Sequence, residues 1–498
     1  MVATSMVAGA QQVSPITQAM LDAYKSMLEE DPNDYVTYYQ RGAQYYQLSM
    51  YDQALNDVVK ALQLTPAKDK DTLLQEYTLL GNIRNEKGEY TGALEAVNAA
   101  LELSPSDYAL LYMKGNICLH LNNLNEARNS FVAMQRVKSR SQEALTGLAK
   151  VDILEGKYAD AKTKMQQLED LNSSSATTYC RLGDLYRDLN EPQQAAAQYL
   201  MAFALSDDNE SRAMTSIFDL AKSNYNAVAD ALNGAISKTS NVLPLYFLKG
   251  NVEFENGHYN DAKTSFAVLL KSEDGKQAAV YNRMAQTLYF LNETRDALVY
   301  VNQALSMDAQ PYNYITKAQI ELALGNNVSA LAMARSAYDA MKYPGSALAE
   351  MAFANIALTH YKDALSNLNE AIMEDAGNIH LIMVRGYLNS KYLKDERAAK
   401  NDYQRVAAAT ATSVEEYALK GMAQSLSGKQ LDGASTLKSA ETAALSPHDF
   451  YCLAVAYAQT GNLAKGREML DNALALGYEN IYNLKANNVA NLNIAPLR

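Results

Sequence analysis

The sequence predicts an all-α solenoid of about 13 helix pairs with capping helices, and three observations carry that prediction. The first is scarce punctuation: 10 Pro and 23 Gly in 498 residues leave long stretches in which a helix has no reason to stop. The second is a period near 34 residues in the small side chains. Ala54, Ala93, Ala127, Ala161, Ala195, Ala229, Ala262, Ala297, Ala330, Ala364, Ala398, Gly433 and Gly466 follow one another at steps of 33 to 39. The third is another small residue twelve positions ahead of each, from Gly42, Gly81 and Gly115 through Gly250 and Ala285 to Gly421 and Ala454, with Ile217 as the exception.

Two phase-locked small sites per period describe two antiparallel helices that cross closely, since a bulky side chain on either would hold the backbones apart. The helix with the earlier site is called A and its partner B. Turn segments such as Glu86-Lys87-Gly88-Glu89-Tyr90 and Glu255-Asn256-Gly257-His258-Tyr259 separate the two sites. A large aromatic precedes the A site by four residues at Tyr38, Tyr77, Tyr179, Tyr246 and Tyr281. Apolar or small residues follow the B site by four and seven, as at Val58 and Ala61 or Tyr199 and Ala202. Pro66, Pro105, Pro311 and Pro447 fall between pairs, where a helix must end.

Composition excludes several classes. Hydrophobic residues make up 48% and charged residues 20%, which argues for a large folded core and against disorder. Net charge is −12 without basic blocks, so no nucleic-acid partner is expected, because phosphate binding needs clustered Lys and Arg. Cys118, Cys180 and Cys452 are too scattered for a disulfide framework or a Cys-based zinc site. No uncharged apolar run is long enough for an integral membrane segment. The five His form no metal-binding pair, and His258 and His360 occupy equivalent turn positions. Neither a phosphate-binding Gly-rich loop nor a nucleophile elbow is present, so no catalytic residue, cofactor or metal is expected and the chain is read as a non-enzyme.

The stretch Tyr38, Gly42, Tyr45, Ala54, Val58, Ala61 and Pro66 resembles the tetratricopeptide repeat, whose unit has these residue types in this order. The resemblance extends over residues 35–476 and implies a right-handed superhelix with helix A lining an inner groove. It implies protein or peptide binding without specifying a partner. Units one to five are placed at 35–207, a degenerate unit six at 208–242 and units seven to thirteen at 243–476. Unit six carries Ile217 at the small site and Asn233 where a core residue is expected, so it is read as a hinge with wider helix spacing. The step of 39 is read as a longer loop around Ala67–Thr72, and Ala399, Tyr403 and Val406 continue the pattern after a one-residue slip.

The ends are read as caps. Ser14-Pro15 opens a helix over 14–31 with the apolar stripe Ile16, Met20, Tyr24, Met27 and Leu28, and 477–498 is read as a closing segment. Ala8-Gly9-Ala10 has the small-x-small form of a signal-peptidase site, so 1–12 is read as a truncated signal peptide remnant. That reading places the chain in the periplasm or otherwise outside the cytoplasm; the alternative is cytoplasmic. Asn172-Ser173-Ser174 and Asn292-Glu293-Thr294 match N-glycan acceptors, and Asp71-Thr72-Leu73 is similar to a bacterial O-glycan acceptor; in each case an unmodified segment is the favoured reading.

Offsets −6, −3, +1 and +4 from the A site define one helix face, the expected groove stripe. It is poor in charge, holding only Glu143, Lys150, Asp184, Arg187 and Glu415, and rich in rings. Tyr39, Tyr112, Phe247, Phe254, Tyr289, Phe353 and Tyr387 are the candidate aromatic contacts, with Asn82, Asn116 and Asn251 offering paired donors and acceptors to a peptide backbone. The family's carboxylate clamp needs a Lys four residues before such an Asn; Thr78, Tyr112 and Phe247 stand there instead, so that ligand is not expected. The expected function is a non-catalytic scaffold holding a peptide or partner protein in a Tyr-rich groove, in the bacterial cell envelope. The alternatives are an accessory subunit of an envelope enzyme or of a secretion or glycosylation complex, and a cytoplasmic assembly factor.

Overall fold

The computed structural model describes residues 15–171, 174–206, 212–291, 293–444 and 447–476. The signal remnant at 1–12, the Ser14 cap, Asn172 and Ser173, Asn292, residues 207–211 and the closing segment 477–498 lie outside the described residues. Every regular element among the described residues is helical, and two compact units divide between Gly234 and Ala235. The first holds α1 (Pro15–Glu30), α2 (Tyr35–Gln47), α3 (Tyr51–Leu64), α4 (Lys70–Glu86), α5 (Tyr90–Leu103) and α6 (Tyr108–His120). It continues with α7 (Leu124–Val137), α8 (Gln142–Leu154), α9 (Tyr158–Leu171), α10 (Ala176–Asp188), α11 (Pro192–Ala204) and α12 (Arg212–Ile236), whose last two residues cross the division. The second holds α13 (Leu243–Glu255), α14 (Tyr259–Leu269), α15 (Ala278–Phe290), α16 (Thr294–Met307), α17 (Pro311–Ala323), α18 (Asn327–Ala340) and α19 (Gly345–Ala357). It ends with α20 (Tyr361–Glu374), α21 (Ile379–Leu388), α22 (Glu396–Ala408), α23 (Val414–Leu426), α24 (Gln430–Ala443), α25 (Pro447–Gln459) and α26 (Leu463–Ala475), with a π-turn over Asn389–Leu393. Each unit is a stack of antiparallel A and B helices in the order the period predicts.

Many of the A helices start on side-chain caps, while α13, α15, α17 and α19 do not. Asp34, Asp107, Ser141, Ser175 and Ser413 each accept a first-turn backbone N–H. Helix A stops on a residue in the left-handed region, seven positions past the small site: Ser49, Gly88, Asn122, Gly156, Asn190, Gly257, Gly325, Thr359, Gly428 and Gly461. The next N–H then donates five residues back, as Met50 to Tyr45 at 2.9 Å and His258 to Glu253 at 2.8 Å, which closes the helix and reverses the chain. Thr359, at φ 65°, is a β-branched residue in a conformation that costs L-residues roughly 1–2 kcal/mol, so the position is imposed on it by packing.

The crossing of A and B is a side chain seated on backbone. Val58, Phe131 and Phe266 lie on B four residues past the small site and touch Gly42, Gly115 and Gly250; a Cβ at those glycines would stand 2.8, 2.5 and 2.7 Å from them. Tyr199 meets Gly183 in the same way. The ring of Phe131 is fully buried between two successive A helices, since a Cβ on Gly147 would also come within 2.5 Å of it. A polar contact accompanies this seam at the third residue past the B site. Arg41 donates twice to Asp57 at 2.6 and 2.7 Å, and Arg385 to Asp402 at 3.0 and 2.6 Å. Ser265 donates to Glu253, Asn355 to Asn367, Thr436 to Gln424 and Lys164 to Asp152.

Three expectations are corrected. The extra residues near 67–72 do not lengthen the loop: α4 begins at Lys70, capped by Asp69, and takes up most of them as an additional helical turn. Asn233 is exposed rather than a core residue. In unit six the left-handed turn residue is replaced by Asn224 at φ −137° and ψ 47°, a kink inside α12. The shorter turn moves the buried set back by one, to Val228 and Leu232. The opposite happens at the π-turn, which inserts one residue, places Lys394 in the left-handed region and moves the buried set forward to Ala399, Tyr403 and Val406. Finally, α1 packs through Leu21 and Leu28 with Tyr24 half-buried, while Ile16, Met20 and Met27 are exposed; nothing among the described residues stands where a preceding A helix would cover them.

Gly147→Ala should destabilise the first unit by about 1–3 kcal/mol in urea unfolding, because Phe131 cannot move without opening its pocket. Adding Phe131→Leu should recover part of that loss; an additive double variant would mean that the ring is not the obstacle.

Candidate functional site

The helix-A face of the first unit carries the clearest unsatisfied chemistry. At offset +1 the chain places Asn82 on α4 and Asn116 on α6, one period apart. Both are half-buried, and neither side chain makes a hydrogen bond among the described residues. In the first three A helices of the second unit, α13, α15 and α17, the same position is occupied by amides that are already engaged. Asn251 donates to the Phe247 carbonyl at 2.7 Å, Gln286 donates to Thr316 Oγ1 at 3.1 Å, and Gln319 donates to Glu350 Oε1 at 2.8 Å. Asn251 is satisfied within its own helix, whereas for Gln286 and Gln319 the acceptor comes from the next A helix, two residues before its small site. That position supplies an acceptor in Thr316 and Glu350, but it holds Met113 after Asn82 and Gly147 after Asn116. Neither can accept a hydrogen bond from an amide through its side chain in the way a hydroxyl or carboxylate can.

The predicted rings separate into two groups. Tyr112, beside Asn116 on α6, is 41% exposed, and Tyr39, Phe353 and Tyr387 are half-buried. Phe247, Phe254 and Tyr289 instead belong to a packed aromatic cluster. Phe247 meets Phe266 edge-on at 6.4 Å; Phe254 meets Tyr259 and Phe290 at 5.5 Å with the Arg283 guanidinium 5.0 Å from its ring; Tyr289 is 6% exposed against Phe290. Asn251 is 7% exposed and tied to its own helix. Tyr289 and Asn251 are therefore packing residues rather than the expected contact residues, Tyr289 buried against Phe290 and Asn251 bonded to its own helix. Gln286 and Gln319 went unrecognised as members of the same amide column, although Gln at the +1 position was the available signal.

Charges on this face are neutralised within the protein. Glu143 accepts from Tyr108 Oη at 2.7 Å and Arg181 at 2.8 Å; burial alone would raise its carboxyl, but these bonds prevail and hold it at about 2. Asp184 accepts from Tyr199 at 2.8 Å and pairs with Arg212 and Arg187, while Lys150 pairs with Asp188 at 3.6 Å. Thr72 of the O-glycan-like tripeptide sits in the first turn of α4 with its hydroxyl donating to Asp69 at 2.9 Å. Among the described residues no cluster of three metal-ligating side chains occurs, and no described helix is long and apolar enough to cross a membrane.

Two carboxyls are buried with one oxygen unpartnered. Glu76 on α4 accepts from Thr65 at 2.7 Å, and Glu350 on α19 from Gln319; the second oxygen of each has no bond. Burial pushes both up to about 7, against the Thr65 and Gln319 bonds and, for Glu76, with help from the charge of Asp69.

Residues 78–136 and 176–209 match the tetratricopeptide repeat family, so the chain carries repeats of that type. It is similar to a TPR repeat-containing protein of Methanocaldococcus jannaschii, at 22% identity over 439 residues, covering 88% of this chain and 69% of that one. A small glutamine-rich tetratricopeptide repeat-containing protein 2 of Mycosarcoma maydis is 30% identical over 92 residues, 18% of this chain and 25% of that protein. Among solved structures, yeast Tom70 aligns with a TM-score of 0.37 at 14% identity, covering 92% of this chain and 94% of that one. The Cut9–Hcn1 hetero-tetramer of the APC/C gives 0.36 at 13% identity, covering 95% and 99%.

A carboxyl whose folded value lies above its ordinary 4.5 holds its proton more tightly in the folded state. Its contribution is complete below about 4.5 and is lost as pH rises through about 7. The thermal midpoint should therefore fall between pH 5 and pH 8. Glu350→Gln and Glu76→Gln should each flatten that profile and raise the midpoint at pH 8, read by circular dichroism; an unchanged slope would remove these two groups as its cause.

Proposed function

We propose that the chain is a non-catalytic scaffold that holds an extended segment of a partner protein along its helix-A faces. The observation that carries the reading is the pair of unengaged amides, Asn82 and Asn116, one repeat apart beside the exposed ring of Tyr112. An amide offers one acceptor and two donors, which matches the donor and acceptor of a peptide unit. These half-buried amides make no intramolecular hydrogen bond, so a bound backbone can take them up without breaking one. Tyr112 adds an apolar face next to them at little entropic cost.

Asn82→Ala with Asn116→Ala should weaken capture of the natural partner by roughly thirtyfold, at about 1 kcal/mol for one lost hydrogen bond at each position, with unchanged helicity. Capture at full strength would sink the assignment. Phe247 and Phe254 are unsuitable for this test, because their removal opens the aromatic core.

We place the scaffold in the bacterial cell envelope, on the small-x-small pattern of Ala8-Gly9-Ala10. N-terminal sequencing of the native protein should then begin at Gln11. An intact Met1 in cells would favour the cytoplasmic assembly factor instead.

A further inference from the structure

The π-turn over Asn389–Leu393 builds a feature found nowhere else on the described helix-A faces. Its additional residue brings Lys391 into line with Tyr387, the residue at the +1 position of α21. Lys391 Nζ donates to Tyr387 Oη at 2.7 Å. The Tyr387 ring stands edge-on to Tyr392 at 6.3 Å, and Tyr392 is stacked on Tyr361 at 4.5 Å, so the phenol is held from behind by two further rings. Tyr387 is half-buried and Lys391 is exposed.

A phenol oxygen that accepts from an ammonium still carries its own O–H, and the ammonium keeps two further N–H donors. None of these meets an acceptor among the described residues, and Lys391 has no carboxylate partner there although the chain carries a net charge of −12. The two cations on the stripe itself, Lys150 and Arg187, are ion-paired. Resting on the reading that the helix-A faces take a partner segment, we propose that Lys391 and Tyr387 bind a carboxylate of that segment. A single positive charge with one neutral donor beside it matches one negative charge shared over two oxygens. A phosphate dianion would call for a second cation, and none is supplied here.

The test uses the full chain carrying [13Cε]lysine, with the Lys391 signal assigned by its absence in Lys391→Met. N-acetylglutamate α-amide presents a side-chain carboxylate, N-acetylalanine presents a terminal one, and N-acetylglutamine α-amide is the neutral control, all at constant ionic strength. The Lys391 signal should shift saturably with one or both carboxylates, the tighter ligand revealing the source, and not with the neutral amide. Tyr387→Phe, which keeps the ring, should weaken the binding by about tenfold to a hundredfold, as expected for one hydrogen bond to a charged group. Shifts of the same size at exposed Lys68 and Lys438, or no change in Tyr387→Phe, would overturn the proposal. Because Asn82 and Asn116 lie in the other compact unit, failure here leaves their capture assay to stand or fall by itself.

Discussion

A side chain resting on a bare backbone is the contact from which the rest of this protein follows. In the pairs whose A helix carries glycine at the crossing, the B helix sends one residue, such as Val58, Phe131 or Phe266, onto that place. Close approach gives the ring or branched chain dispersion contact on all sides, and it fixes both the distance and the rotation of the pair. The repeat is thus less a pattern of hydrophobicity than a pattern of clearance. Phe131 extends the principle across the pair boundary, since Gly115 and Gly147 come from successive A helices and share one ring.

That contact can recur only if the number of residues between the two small sites is controlled. The left-handed residue at the end of each A helix performs this control, because it ends the helix at a set residue and reverses the chain within three positions. The two exceptions show how it operates. At Asn224 the left-handed residue is missing and the buried set retreats to Val228 and Leu232; at the π-turn a residue is added and the set advances to Ala399, Tyr403 and Val406. In both cases helix B rotates to bury its apolar face, since leaving it in water would cost more than altering the turn.

The face left over by this packing is where binding chemistry can be placed. Of the amides at offset +1, Gln286 and Gln319 serve the neighbouring A helix and Asn82 and Asn116 do not, according to what the next pair presents two residues before its small site. A polar neighbour turns the amide into structure, as with Gln319 and Glu350, whereas Met113 and Gly147 leave Asn82 and Asn116 available. Whether a residue of this face is a contact or a brace is therefore a property of two successive units, not of one.

The sequence by itself determined the helical class, the pairing, the crossing points and the one-residue slip near Ala399, because all of these depend on short-range periodicity in residue size. It also located unit six as the irregular pair, through Ile217. It misjudged the segment after Pro66, where Asp69 offers a cap that converts an expected loop into helix, and it misassigned Asn233, whose register depends on a turn shortened elsewhere. Only the tertiary structure decided which rings and amides of the helix-A face remain free. Phe247 shares its offset with Tyr112, and Asn251 with Asn82 and Asn116, yet their burial is set by the packing around each helix, and a pattern read along a single helix does not contain that information.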